Sequence, residues 1–169
     1  MKKGNIAVSV AILSMVATNV MAGECEQNFK LVDVSGTVNT QSIPAAMQIG
    51  TIDMQLTSVK SGRVLFDQTG AVVGKITGSV DGAFPPVVLL DHDITFEKGA
   101  EIETTGDQAT LYGDPTGSEP VPVVEVISNF WGSKMFKNST GEIIATGYLN
   151  TNGTGSNEFG LSGSLCVKP

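Results

Sequence analysis

The chain has 169 residues, 41% of them hydrophobic and 16% charged, with 20 glycines, one histidine and a formal net charge of −7. That is enough for a single domain core. The acidic balance and scattered Lys and Arg exclude a nucleic-acid partner, because phosphate binding needs clustered positive charge. A lone histidine also excludes a multi-histidine metal site, and the sequence calls for no metal and no cofactor.

Lys2 and Lys3 precede an apolar run from Ile6 to Val16, which is interrupted only by Ser9 and Ser14 and closes on Val20-Met21-Ala22. This pattern predicts a secretory signal peptide over residues 1–22, cleaved between Ala22 and Gly23. The run is too short for the roughly 20 apolar residues of a membrane span, and no later segment is long enough either. Export to the periplasm or the medium is expected, with one mature domain over 23–169 and no membrane insertion after cleavage. Cys25 and Cys166 bracket that domain. Their even count and the oxidising destination predict an intramolecular disulfide; a redox-active pair would show Cys-x-x-Cys spacing.

From Phe29 onward the dominant pattern is alternation, the signature of half-buried strands. Val32, Val34, Gly36 and Val38 share one face of a first strand, and Ile52, Met54 and Leu56 one face of a second, with Ser42-Ile43-Pro44 between them. Arg63 to Asp67 and Ala71 to Val80 read as a hairpin turning through Gln68-Thr69-Gly70, with Val72, Gly74, Ile76, Gly78 and Val80 on one side. After Asp81-Gly82 and Pro85-Pro86, the strand from Leu90 to Phe96 puts Leu90, His92, Ile94 and Phe96 together. Ile102 and Thr104 follow, and Gly106-Asp107 reads as a turn. Ala109 to Tyr112 then resumes before the Gly- and Pro-rich loop 113–120, which is long enough to cover an opening.

Pro122 marks the strand Val121 to Ser128 as an edge candidate or a late starter. Ile143, Ala145, Gly147 and Leu149 share a face, Asn152-Gly153 supplies a turn, and Phe159, Leu161, Gly163 and Leu165 share a face of the last strand, with Cys166 opposite. These elements predict an all-β domain, an antiparallel closed barrel of about eight strands, with a β-sandwich as the alternative. Glycines recurring on the presumed inner faces favour the barrel, where strands curve tightly.

The stretch Phe136-Lys137-Asn138-Ser139-Thr140-Gly141-Glu142-Ile143, then Gly147-Tyr148-Leu149-Asn150 and Leu161-Ser162-Gly163-Ser164-Leu165-Cys166, resembles the C-terminal half of allene oxide cyclase-like and dirigent-like barrel proteins. Asp91-His92-Asp93-Ile94-Thr95-Phe96 is similar to the middle hairpin of secreted bacterial members. The resemblance implies a small eight-stranded barrel with a cavity, in a group where some relatives isomerise or guide reactive apolar molecules. Trp131-Gly132-Ser133-Lys134-Met135 replaces the usual Gly-rich approach to the aromatic residue. No catalytic carboxylate aligns, so no catalytic residue is carried over.

Four residues are candidates for lining a cavity: His92, Glu125, Phe96 and Trp131. His92 shares a face with aliphatic residues and Phe96, where it can hydrogen-bond a ligand carboxylate or carbonyl; the plainer role is a structural histidine. Glu125 alternates in step with Val123 and Ile127, so either it enters the interior, where desolvation raises its pKa, or it faces water while Val124 and Val126 point in. Trp131, with Phe130 and Phe136, sits near a strand connection and can gate an opening or pack in the core. Three functions follow: a barrel binding a small apolar or amphipathic ligand, an isomerase or cyclase-like enzyme, or a structural or surface-interaction protein with a filled interior. The sequence sets no oligomeric state.

Overall fold

The computed structural model describes residues 25–43, 46–117, 119–150 and 155–169. The expected leader with its Ala22–Gly23 junction, Pro44 and the Asn152-Gly153 turn lie outside these residues. The strands are β1 (Lys30–Ile43), β2 (Met47–Ser58), β3 (Val64–Ser79), β4 (Val87–Phe96), β5 (Glu101–Leu111), β6 (Val121–Ile127), β7 (Trp131–Gly132), β8 (Thr140–Leu149) and β9 (Ser156–Val167). A 3-10 turn, Lys134–Phe136, follows β7.

Eight of these strands form a closed antiparallel barrel. β1 to β6, β8 and β9 each pair with the next, and β9 returns to β1. β7 is a short outer strand laid against β5. The alternation expected from the sequence sets the inside: Val32, Val34, Ile52, Met54, Leu56, Val72, Ile94, Leu161 and Leu165 are buried, while residues between them face solvent. Close strand approach explains the inward Gly36, where any Cβ would run into the carbonyl oxygen of Asp53.

Phe66, Phe96 and Phe136 fill the end of the barrel where β1 begins and β9 ends, with ring centroids 4.8 to 5.8 Å apart. The disulfide Cys25–Cys166 lies at that end, its Cα atoms 5.6 Å apart. At the other end Asn157, fully buried, joins Thr40 and Ser42 through its amide nitrogen and accepts from the Asn150 backbone N–H.

Three local readings of the sequence are corrected. Gln68-Thr69-Gly70 is no turn: β3 runs straight through it, with Gly70 paired to both Ile52 and Phe96. The inward series Phe66, Gln68, Gly70, Val72 continues unbroken, and the polar Asp67 and Thr69 simply face outward. Gly106-Asp107 lies within β5 and forms a bulge. Pro122 does not mark an edge, because β6 pairs with β5 and β8. Its ring points to solvent near the start of the strand, and its carbonyl accepts from the Tyr112 N–H at 2.8 Å.

Candidate functional site

His92 reaches the interior from β4, between Gly74 of β3 and Thr104 of β5. Glycine at 74 makes room, since a Cβ there would stand 3.2 Å from the His92 Cδ2 and Nε2 atoms. Its partner Asp107 comes from the β5 bulge. Thr104 faces His92 and Asp107 faces Leu90, so Thr105 and Gly106 together oppose Asp91. Gly106 takes φ +68°, a conformation natural to glycine, and its N–H donates to Asp91 Oδ1 at 2.9 Å. The extra residue switches strand parity. Ile102 and Thr104 point in before it, and Asp107, Ala109 and Leu111 point in after it.

Asp107 is completely buried and fully partnered. Its Oδ2 meets His92 Nδ1 at 2.9 Å and accepts from the Thr104 hydroxyl, and its Oδ1 accepts from the Ser128 N–H at 3.0 Å. This bond places the proton on Nδ1 and turns Nε2 toward the centre of the barrel.

Glu125 points inward from β6, and the second of its two readings is set aside: it is 7% exposed, flanked across the sheet by Ala109 and Ala145. Two alanines beside a longer acidic side chain leave it space. Its Oε1 lies 3.6 Å from His92 Nε2, too far for a hydrogen bond, and among the described residues it has no hydrogen-bond partner. A buried acceptor without a donor costs about 1–3 kcal/mol.

Burial works against a charged His92 ring, but the hydrogen bond to Asp107 and the charges of Glu125, Asp107 and Asp91 outweigh it, so its pKa lies above the ordinary 6.5. Burial likewise pushes the Glu125 carboxyl above its ordinary 4.5, with His92 pulling the other way and Asp107 adding to the rise. The site therefore favours positive charge between its two carboxylates. A ligand carboxylate on His92, expected from the sequence, would add a third negative group to this pocket.

His92 and Glu125 line a cavity of about 40 Å³ whose other walls are largely apolar, among them Ile52, Met54, Ile94 and Phe159. That exceeds the roughly 10–15 Å³ one water needs and falls far below the roughly 300 Å³ at which drug-sized ligand sites begin. Phe96 does not line it and belongs to the aromatic end-plug. Trp131 is 56% exposed on β7, because it pairs with the outward-facing Glu103 and shares its face, while Gly132, opposite the buried Ile102, takes the inward position against Phe136. The neighbouring Phe130 does reach the cavity, and Thr40 and Gln48 close it at the Asn157 end. Asp107 was the residue missed. Its signal is Gly106 inside an otherwise alternating segment, which marks a bulge as readily as a turn.

Donor atoms of His92, Asp107 and Glu125 all lie within 4.8 Å of one another, the only such group of three among the described residues. These are the residues able to hold a metal ion. No family model, curated protein or solved structure matches the chain.

Proposed function

We propose that this protein is a small exported barrel that binds a small ligand in its interior, anchored by His92 and Glu125. The observation that carries the reading is Glu125 Oε1: a buried carboxylate oxygen without a donor, beside open space. Such an atom is satisfied by a bound group, and the cavity volume limits that group to a few heavy atoms unless the walls move. The disulfide supports an oxidising destination, and residues 1–22 carry the export pattern.

A second reading is favoured by the Asp107–His92–Glu125 alignment. An oriented imidazole facing a carboxylate is a proton-transfer pair, which suits an isomerase in the manner of the allene oxide cyclase-like proteins the sequence resembles. Native mass spectrometry of protein purified from the exported compartment tests both the binding and the export. A co-purifying small molecule, loss of residues 1–22 and a mass lower by two hydrogens are expected. An unmodified, empty barrel would overturn the reading and favour a structural role.

A further inference from the structure

His92 Nε2 and Glu125 Oε1 face each other across a gap that no hydrogen bond spans. At 3.6 Å it is too wide for a hydrogen bond, yet Glu125 Oε1 is buried, the His92 ring is largely enclosed, both residues line the same cavity, and both atoms act as lone-pair donors when Nδ1 holds the ring proton. Two lone-pair donors held face to face call for a cation between them. Metal–nitrogen distances of about 2.0–2.1 Å and metal–oxygen distances of about 2.0–2.2 Å put two ligands of one ion roughly 3.0–3.5 Å apart, so the observed gap needs closing by only a few tenths of an ångström.

We propose that His92 Nε2 and Glu125 Oε1 bind a divalent transition-metal ion of the Zn²⁺ type, with water completing its coordination. This inference rests on the interior being a binding site, and narrows what that site takes. Four observations converge on it. Asp107 holds His92 by Nδ1 at 2.9 Å, the arrangement by which a carboxylate fixes the tautomer of a metal-ligating histidine. Asp107 is itself fixed by Thr104 and the Ser128 N–H, so the ring is held in advance. The cavity of about 40 Å³ has room for water ligands but not for a large organic molecule. Finally, two buried carboxyl groups flank the imidazole in an otherwise apolar interior, with donor atoms of all three residues within 4.8 Å of one another. Imidazole with carboxylate suits Zn²⁺ or Co²⁺ better than Ca²⁺, which takes six to eight oxygens.

The test uses the full exported chain, stripped with a chelator and titrated with Zn²⁺ by calorimetry and with Co²⁺ by visible absorption. One saturable site per chain is expected. Glu125→Gln, nearly isosteric, should weaken binding at least tenfold, and His92→Ala should abolish it. Asp107→Asn, which keeps a group on Nδ1 but removes its charge, should weaken it 10- to 100-fold. Circular dichroism of the Glu125→Gln protein establishes that the loss is not unfolding. Absence of a saturable site, or wild-type affinity in the folded Glu125→Gln protein, overturns the inference. If native mass spectrometry finds an organic molecule in a barrel that takes up no metal, this inference fails and the binding-barrel reading stands; a barrel that takes up neither sinks both.

Discussion

Asp107 meets His92 Nδ1 at 2.9 Å because Gly106 inserts one residue into β5. Were β5 to run regularly through Thr105 and Gly106, alternation would point Gly106 inward and turn the Asp107 carboxylate to solvent, leaving His92 without its fixed partner. The site is thus made by a backbone irregularity as much as by its side chains.

Gly106→Ala tests this dependence. An alanine at φ +68° costs about 1–2 kcal/mol in the left-handed region, so a lower melting temperature is expected. The nuclear magnetic resonance titration of the His92 ring should shift to lower pH as the Asp107 contact loosens. An unchanged His92 titration would disconnect the bulge from the site.

Asp107 and Glu125 should respond oppositely to removal. Asp107→Ala strips partners from His92, Thr104 and the Ser128 N–H, and a loss of about 3 kcal/mol in chemical denaturation is expected. Glu125→Leu removes a buried acceptor that has no donor and fills its space with an apolar group, so it should be neutral or stabilising by about 1 kcal/mol in metal-free protein. A stability gain that accompanies lost binding is the mark of a residue kept for function.

Stability in chelator should fall as the pH rises. His92 has a folded pKa above its ordinary 6.5, so its contribution is complete below 6.5 and disappears as pH climbs through the folded value. Glu125, raised above 4.5, acts in the same direction: its contribution is complete below 4.5 and is lost on the way up. The charged groups that act on His92 are Asp107 from β5, Glu125 from β6 and, from the opposite face of its own strand, Asp91. Urea midpoints measured at rising pH should therefore decline, with a shallower slope in Glu125→Leu. A rise in midpoint across that range would contradict the assigned protonation.

Replacing Cys25 and Cys166 together with serine should cost about 2–4 kcal/mol while preserving the barrel. The far-ultraviolet spectrum should keep its β signature. A metal affinity equal to wild type is expected as well, because the disulfide and the His92 cluster sit at different levels of the barrel.

Much of the barrel was legible from alternation alone. Val32 to Val38, Ile52 to Leu56 and Phe159 to Leu165 point inward as their spacing predicts, and Cys25 pairs with Cys166. The two mistaken turns share one cause. Gln68-Thr69-Gly70 and Gly106-Asp107 have turn-like composition, but their neighbours across the sheet hold them in strands, and pairing information is not local. Within the site, His92 was visible because a single imidazole stands out among aliphatic residues of the same parity. Glu125 was ambiguous because Val123 to Val126 offers apolar residues on both faces, and the choice depends on the small Ala109 and Ala145 beside it. Trp131 misled because large aromatic side chains are usually buried, whereas the two-residue β7 keeps this one outside.

The wall strands follow one another in the chain, and only β1 with β9 joins distant segments. Nearly all of the ring can thus assemble by short-range zippering, and the entropic toll of circularisation falls on that one pair. Crosslinking Cys25 to Cys166 shifts the toll to the unfolded ensemble, so an oxidised chain begins its search as a loop that needs only to find its register.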